Sequence, residues 1–384
     1  MNIFSLPKLS PRAELFAKTL HHLAPLINQS NSFSRQIFQQ DAIIQPYVDH
    51  PFYSCSRYGF NFPNLIAPCH YLNISATFGM TGLLCYDSPL LHQHSPRQHA
   101  NVFISTGLNN EPLLQHYGLV GDEVIQTPDK ILFGRELLIE GNYPEFQIKG
   151  HYDHIEFQLQ INVGRQASWL MKSPVYDHFS LMMHYQGHFN LQGEQIEVAG
   201  MGSFEFARAA TPHLLIEQPL SLIDKIPVNF MTYQIMNLDD QTQLILHKVD
   251  IAGKPMNYKA YIRHKSGLCD VFDDVEFQVT DYLDKPTMSR LGEYTLLPKT
   301  FEWKIFDHSA DLFLEIQAEV KTEYQFGLGL GYVAAFEFKI LNDEHMHSGQ
   351  GYMEYIDIVE QTEICPYSEA ETTELNTRHS ALTV

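Results

Sequence analysis

Apolar and polar residues alternate along most of the chain after residue 45. Two clear examples carry their apolar residues on one parity: Ile155, Phe157, Leu159, Ile161 and Val163, and then Phe179, Leu181, Met183 and Tyr185. Residues two apart share one face of a strand, so this period predicts strands with one buried face. Long helical patterns are almost absent after the first fifty residues. The pattern predicts an all-β, mostly antiparallel fold and excludes doubly wound and βα-barrel folds, which need crossover helices.

The first part of the chain has a helical period instead. Ser10 can act as an N-cap and Pro11 suits the first helical position, so we predict a helix over residues 10–29. Its apolar positions are Leu15, Phe16, Leu20 and Leu23. We expect this face to pack on a domain. Contact with a membrane surface is the alternative, and it is disfavoured by Pro25 and by the scarcity of basic residues on the polar face.

Two later segments support further predictions. Thr232–Val249 contains two alternating runs around Asp239 and Asp240, which predicts two strands joined by a turn. Residues 366–384 are polar and rich in Ser, Thr and Glu. Such a segment buries too little apolar area to offset its ordering entropy, so we expect a mobile tail.

An internal repeat is the most informative feature of the sequence. Residues 200–206 have the form G-x-G-x-x-E-aromatic, and residues 349–355 repeat it 149 positions later. Upstream, residues 146–149 and 157–163 resemble residues 301–304 and 313–320 in the same order. A competing match, residues 153–159 with residues 273–279, gives a different offset of 120. Self-similarity over a long period indicates a duplicated unit.

Composition limits the classes of partner. The 384 residues include 25 Lys and Arg against 45 Asp and Glu, and the net charge of −20 repels a phosphate backbone. We therefore expect no nucleic-acid partner. The hydrophobic content of 44%, with 12% aromatic residues, is enough for a core and excludes wholesale disorder.

The sequence also bears on the compartment. The first twenty residues lack the features of a secretory signal, and the longest nearly apolar run, Phe326–Phe336, is too short to span a bilayer. We expect no transmembrane segment. The five cysteines are widely and irregularly spaced without a C-x-x-C pair: Cys55, Cys69, Cys85, Cys269 and Cys365. This pattern fits reduced thiols in a cytoplasmic protein.

The two G-x-G-x-x-E segments, each ending a β unit of about 150 residues, resemble those of tandem lipocalin-like (calycin) proteins. This is the superfamily of AttH-like proteins and carotenoid 1,2-hydratases. The resemblance covers about residues 45–362. It implies two up-and-down barrels or half-open β-sandwiches in tandem. We expect a helical segment at residues 1–44, a first lipocalin-like unit at 45–215, a second at 216–365 and a mobile tail at 366–384.

The resemblance also implies a ligand class, because members of this superfamily bind or transform hydrophobic molecules. Our main hypothesis is binding of a lipid or isoprenoid-like small molecule in an aromatic-lined barrel cavity. The alternative is a hydratase, cyclase or isomerase that needs no cofactor and acts on an isoprenoid or polyketide-like substrate. A third hypothesis is a structural interaction protein whose barrels are filled by their own side chains. The sequence leaves the oligomeric state open.

Five residues are candidates for the site. An enzyme that protonates an alkene needs a buried acid beside an aromatic wall. The catalytic candidates are Asp307 and Glu354, and the ligand-binding candidates are Trp303, Tyr352 and Glu205. The functional interpretation places Glu205 or Glu354 inside a barrel. Structural alternatives remain open, because Asp307 can lie in a turn and the glycine motifs can be kinked terminal strands.

No metal ligand is predicted, although the histidine count of 20 is high. His345, His347 and Glu354 are similar to a cupin ligand set, but the second His and the Glu are separated by six residues rather than three or four. A polar hairpin loop is the alternative for this His pair. Surface positions in a loop are expected for His92, His94 and His99. The absence of H-E-x-x-H, G-x-S-x-G and P-loop motifs removes the usual peptidase, hydrolase and nucleotide signatures.

Overall fold

The fold is described from a computed structural model that covers residues 9–39, 41–87, 95–108, 110–121, 123–153, 155–290, 294–341 and 347–358. The chain begins with α1 (Pro11–Ile27) and α2 (Ser30–Ser34). The Ser10 hydroxyl accepts the Ala13 amide at 3.2 Å, so the predicted N-cap and helix are confirmed. Short 3₁₀ helices lie at Asp41–Ile43, Pro96–Gln98, Pro212–Leu214 and Leu222–Asp224.

The first sheet has eleven strands in the described residues. They are β1 (Cys55–Phe62), β2 (Leu72–Phe78), β3 (His99–Thr106), β4 (Leu113–Gly118), β5 (Val124–Thr127), β6 (Lys130–Phe133), β7 (Leu137–Asn142), β8 (Glu145–Tyr152), β9 (Ile155–Lys172), β10 (Tyr176–Leu191) and β11 (Glu194–Ala209). Their order across the sheet is β4-β3-β2-β1-β11-β10-β9-β8-β7-β6-β5, with antiparallel neighbours. The last strand in sequence therefore lies beside the first.

The second sheet repeats this arrangement. Its strands are β12 (Val228–Asn237), β13 (Thr242–Ile251), β14 (Lys254–His264), β15 (Cys269–Phe272), β16 (Asp274–Tyr282), β19 (Pro298–Phe306), β20 (Leu312–Val320), β21 (Gln325–Phe326), β22 (Tyr332–Ile340) and β23 (Ser348–Asp357), while β17 (Thr287–Met288) and β18 (Tyr294–Thr295) pair separately. The order is β15-β14-β13-β12-β23-β22-β20-β19-β16, with β21 beside β22. The all-β, antiparallel prediction is confirmed, and β12 and β13 are the predicted strand pair.

Each sheet curls around its own core. In the first sheet, the rings of Phe60 on β1 and Phe146 on β8 are 5.7 Å apart. In the second, Phe230 on β12 and Phe277 on β16 are 6.1 Å apart. Strands far apart in sheet order thus contribute to one core, and the two barrel-like interiors are packed with apolar side chains. The apolar parities predicted from the sequence face the first interior.

The repeated segments occupy equivalent strands. Residues 200–206 lie in β11, between β1 and β10, and residues 349–355 lie in β23, between β12 and β22. The upstream matches lie in β8 and β19 and in β9 and β20, which also have equivalent places. The competing match would equate β9 with β16, which occupy different places. The tandem arrangement is confirmed, and the offset near 150 is the correct alignment.

The packing of α1 differs from the prediction. Leu15, Phe16 and Leu23 are 66%, 42% and 48% exposed, and of the four predicted contact residues only Leu20 packs against a core cluster. The buried face is made of Ala13, Ala17 and Ala24, because small side chains let the helix backbone approach the sheets closely. The helix packs on the domain as predicted, but through its alanines and Leu20 rather than through Leu15, Phe16 and Leu23. No helix in the described part of the chain is long and apolar enough to cross a bilayer.

The two units meet through the outer faces of their sheets. A joint apolar cluster contains Tyr71 and Phe103 of the first sheet together with Tyr233, Tyr261 and Tyr352 of the second. These residues have the parity opposite to that of the barrel interiors. Polar residues of this parity are consequently buried between the units instead of facing water.

Candidate active site between the two units

The repeated motifs place their glutamates at this inter-unit surface. Phe204 and Phe206 on β11 belong to the first barrel core, so Glu205 between them projects from the other face. On β23, Met353 and Tyr355 belong to the second core and Glu354 projects outward in the same way. The hypothesis that these glutamates lie inside a barrel is wrong. The strand period directs both of them toward the other unit.

The motif glycines let neighbouring groups approach the strands closely. A Cβ on Gly202 would lie 2.5 Å from the carbonyl oxygen of Asn61. A Cβ on Gly351 would overlap the Phe336 ring and lie 2.9 Å from the Ile235 carbonyl oxygen. The structural interpretation of the glycines therefore fits the packing.

Around the glutamates lies a set of side chains that we call the inter-unit polar cluster: Glu205, Glu354, Arg57, Asn61 and Asn73. Asn61 donates to Glu205 Oε1 at 2.7 Å. Asn73 donates to Asn61 Oδ1 and lies 3.4 Å from Glu354 Oε1. The two amides connect the glutamates of the two units. Because all these groups are on strands inside a packed interface, their geometry is held by both sheets.

Glu354 has the properties of an acid. Its Oε1 accepts the Tyr352 hydroxyl at 3.1 Å and lies 3.8 Å from Arg57 Nη2. Burial raises the pKa of the Glu354 carboxyl above its usual value. The Arg57 charge opposes this rise, and the negative charge of Glu205 adds to it. Glu354 is thus biased toward the protonated form.

Glu205 is biased in the opposite direction. Burial alone would raise the pKa of its carboxyl, but the His178 imidazole, the Arg57 charge and the Tyr233 hydroxyl together lower it below the usual value. His178 Nε2 lies 3.6 Å from Glu205 Oε2. The pair consequently favours one protonated and one ionised carboxyl group, an arrangement suited to proton transfer.

Sequence reasoning missed Arg57, His178 and Tyr176. The Tyr176 hydroxyl lies 3.1 Å from His178 Nδ1, and Arg57 Nε donates to Ser75 Oγ at 2.9 Å. These residues lie on strands at positions that an isolated sheet would expose. Their only local signal is the polar parity itself, which is the same for a solvated face and for a buried one.

Of the predicted site residues, the structure brings Glu205, Glu354 and Tyr352 together. The Tyr352 ring also lies 5.2 Å from that of Tyr71 across the interface. Trp303 is fully buried inside the second barrel, where its indole donates to Gln234 Oε1 at 3.1 Å. Asp307 lies in the turn between β19 and β20 and accepts the amides of Ser309 and Asp311 at 2.8 and 3.0 Å. Neither residue is part of the inter-unit polar cluster.

The inter-unit polar cluster and the neighbouring His178 are mostly buried. The side chains of Arg57, Glu354 and His178 are each 12% exposed, whereas that of Glu205 is 4% exposed. Two surface depressions, of about 430 and 560 Å³, lie elsewhere on the first sheet. They are lined by residues such as Gln158 and Glu111 and include none of the predicted site residues.

The described residues contain no candidate metal site. Among the residues that the structure describes, no group of three or more His, Cys, Asp or Glu could hold an ion. His92, His94 and His345 lie outside the described residues, as do Cys365 and the predicted tail at 366–384. His99 is buried at the start of β3 rather than in a surface loop, because its strand packs between β2 and β4.

Comparison with solved structures supports the two-unit fold. Kievitone hydratase from Nectria haematococca is similar with a TM-score of 0.56 and 14% identity, covering 84% of this chain and 94% of that chain. Two structures of CghA, one with Sch210972, have TM-scores of 0.47 and 0.44 at 8% identity, covering 80% of this chain and 89% and 88% of theirs. The first likeness confirms the resemblance to tandem lipocalin-like proteins at the level of the fold.

Comparisons of sequence add one finding. The profile of DUF6670, described as a family of unknown function, matches residues 75–368. No curated protein matches the chain. The matched range contains both G-x-G-x-x-E motifs, and therefore both glutamates of the inter-unit polar cluster.

Proposed function

The chain belongs to the DUF6670 family, and we propose that its inter-unit polar cluster catalyses proton transfer on a hydrophobic small molecule without a cofactor. The reaction class is that of a hydratase, cyclase or isomerase, with an isoprenoid or polyketide-like substrate. One observation carries the proposal: two buried glutamates from matching strands are connected by Asn61 and Asn73, and their pKa values are pushed in opposite directions.

In the proposed reaction, the protonated Glu354 donates its proton to a carbon–carbon double bond or an enone. Arg57 then stabilises the Glu354 carboxylate that this step leaves. The Tyr352 ring can stabilise positive charge that develops on the substrate. The ionised Glu205 accepts a proton, either from water that adds to the substrate or from a neighbouring carbon. Solvent exchange returns the two glutamates to their starting protonation states.

The comparisons and the core packing favour this alternative over simple carriage in a barrel. The similar structure at a TM-score of 0.56 is named as a hydratase, although its low identity relates the two chains by fold only. Both barrel interiors are occupied by apolar side chains. A carrier that binds its ligand through apolar contacts does not need two buried carboxyl groups, and burial of charge has a desolvation cost even where the charge is paired.

The first test identifies a ligand and then follows a proton. Protein purified from its own cells is analysed by native mass spectrometry, and any bound compound is extracted and identified. That compound and a panel of isoprenoid alkenes and polyketide-like enones are then incubated with the protein in D₂O. Every reaction in the proposed class that protonates carbon incorporates deuterium, so mass spectrometry of the recovered compound detects all of them with one readout.

The variants separate catalysis from binding. We expect Glu354→Gln and Glu205→Gln to reduce deuterium incorporation by a factor of about 10² to 10⁴ while the ligand still binds. Asp307→Asn tests the other acid proposed from the sequence, and it should leave incorporation unchanged. A bound ligand that never takes up deuterium would indicate a carrier, and loss of incorporation in Asp307→Asn alone would move the acid to that turn.

A further inference from the structure

A fully buried arginine of the second unit reaches the first unit beside Glu205. Arg263 on β14 is 0% exposed. Its Nη1 donates to Ser180 Oγ at 3.0 Å and its Nη2 donates to Ser203 Oγ at 3.2 Å. It also donates to Gln243 Oε1 of its own unit. The guanidinium therefore lies across the interface and holds two serines of the opposite sheet.

The charge of Arg263 has no direct counter-ion. In the described part of the chain its hydrogen-bond partners are neutral groups, and its Nε has none. A buried cation without a paired anion is costly. Burial lowers the pKa of the guanidinium, and Glu205 is the carboxylate whose charge acts in the other direction. The positive charge of Arg263 and the negative charge of Glu205 therefore interact without a direct hydrogen bond between the two side chains.

The serines that Arg263 holds are the neighbours of Glu205. Ser180 is the cross-strand partner of Glu205 on β10, and Ser203 precedes Glu205 by two residues on the same face. The Tyr233 hydroxyl lies 3.1 Å from Ser180 Oγ and also faces the Glu205 carboxylate, so its single proton can be donated to either group. Two hydroxyl groups therefore connect the arginine of one unit to the glutamate of the other.

We propose that Arg263 is a positioning residue that keeps Glu205 ionised, through its charge and through the Ser180–Tyr233 bridge. The proposal complements the contact of Arg57 with Glu354, in which the first unit supplies an arginine to the glutamate of the second. Each glutamate then has an arginine of the other unit among the charges that act on it, beside groups such as His178 of the first unit. The catalytic consequence rests on the proposed function, whereas the effect on Glu205 ionisation does not.

Other ionisable groups also face Glu205 and remain constant in the test. They come from the strands packed around it: Arg57 on β1, His178 on β10, Tyr233 on β12, His247 on β13 and Glu354 on β23. Comparison of single variants with the wild-type chain isolates the contribution of Arg263 from theirs.

The deciding experiment is a titration that needs no substrate. Full-length protein with ¹³C-labelled Glu carboxyl groups is titrated by NMR, and the Glu205 signal is assigned by its loss in Glu205→Gln. We expect Arg263→Met to raise the Glu205 pKa by a shift that the titration resolves, because a buried positive charge near the carboxylate is lost. Arg263→Lys keeps the charge and should retain most of the wild-type value. Tyr233→Phe removes a hydroxyl that itself interacts with Glu205, and it should raise the pKa as well.

A matched control is Tyr261→Phe, which alters the same strand and interface at a hydroxyl that donates to Trp169 rather than toward Glu205. It should leave the Glu205 pKa unchanged. If Arg263→Met does not fold, Arg263→Gln takes its place, because it keeps amide donors for the two serines and removes the charge. An unchanged Glu205 pKa in the folded Arg263→Met or Arg263→Gln protein would overturn the proposal and leave Arg263 as a connector of the units.

The catalytic arm uses the pH dependence of deuterium incorporation. If Glu205 is the base, Arg263→Met should move the acid limb of kcat/KM upward by the same amount as the NMR pKa, without moving the limb in Tyr261→Phe. A Glu205 shift with no turnover in any protein contradicts the proposed function and supports the role of Arg263. Turnover without a Glu205 shift in Arg263→Met supports the proposed function and contradicts the role of Arg263.

Discussion

At the scale of single residues, burial decides which protonation state a polar side chain keeps. His247 on β13 is buried at the interface, where Asn257 Nδ2 donates to its Nδ1 at 3.1 Å and the Tyr233 ring lies 6.1 Å away. Burial lowers the pKa of His247 to about 3, with a further contribution from the charge of His178. The ring is therefore neutral at pH 7 and accepts a hydrogen bond that its protonated form would lose.

This state makes the stability of the protein dependent on pH. Between about pH 6.5 and 3, an unfolded His247 binds a proton that the folded one excludes, so the stability contributed by the neutral ring falls as pH falls. We expect the wild-type unfolding free energy to drop by about 2 kcal/mol more than that of His247→Asn between pH 7.5 and 5, because Asn keeps the acceptor without titrating. Urea denaturation at both pH values measures the difference, and equal drops would show that His247 already protonates in the fold.

At the scale of elements, β11 and β23 close their sheets and carry the glutamates. β11 lies between β1 and β10, and β23 lies between β12 and β22, so the half of each strand that carries its glutamate is paired on both edges. Cross-strand rings and carbonyl groups occupy the space that side chains at the motif glycine positions would need. The positions that close the barrel are therefore also the positions that aim Glu205 and Glu354 at the interface.

Substitution of the motif glycines should consequently give graded effects. A Cβ at Gly351 would meet both the Phe336 ring and the Ile235 carbonyl, whereas at Gly349 the nearest contact is the Phe338 ring at 3.1 Å. We expect Gly351→Ala to lower the unfolding free energy by about 1–3 kcal/mol, and Gly349→Ala to cost clearly less, because a ring can shift more easily than backbone. Chemical denaturation of both variants tests this order; a larger loss in Gly349→Ala would contradict it.

At the scale of the whole molecule, the two units share one buried surface. Tyr261 of the second unit donates its hydroxyl to the Trp169 carbonyl of the first at 2.7 Å. Asn237 donates to the Met201 carbonyl at 2.8 Å in the same direction. Because the interface combines aromatic packing with hydrogen bonds that neither unit can satisfy alone, we expect the units to unfold together.

The two tryptophans report this cooperativity, since Trp169 lies in β9 and Trp303 in β19. Single-tryptophan variants, Trp303→Phe and Trp169→Phe, let fluorescence follow one unit at a time. Tyr261→Phe leaves a buried carbonyl without its donor and should cost about 1–3 kcal/mol. We expect it to shift the midpoints of both reporters equally. A shift of one reporter alone would show that the units unfold separately.

The secondary-structure elements and their duplication can be predicted from the order of the residues alone. Period-two alternation at residues 155–163 encodes a buried face, Ser10 and Pro11 encode the helix start, and the two glycine motifs mark equivalent closing strands. These signals are local, because they arise from backbone geometry and from the partition of apolar side chains. They were enough to predict the all-β fold and to single out Glu205 and Glu354.

What covers the other face of each strand depends instead on how the two units pack. A polar residue such as Arg57 or Arg263 has the same local pattern whether its face meets water or a second sheet. Packing of one unit on the other turned that face into a low-dielectric interface, where burial and nearby charges shift the pKa values of Glu205 and Glu354 in opposite directions. Trp303 has the opposite parity on β19 and lies inside the second barrel, while Leu15, Phe16 and Leu23 of α1 remain exposed. Alternation shows which face of a strand is apolar and which is polar. It does not show what covers each face, because that depends on the packing of the folded chain.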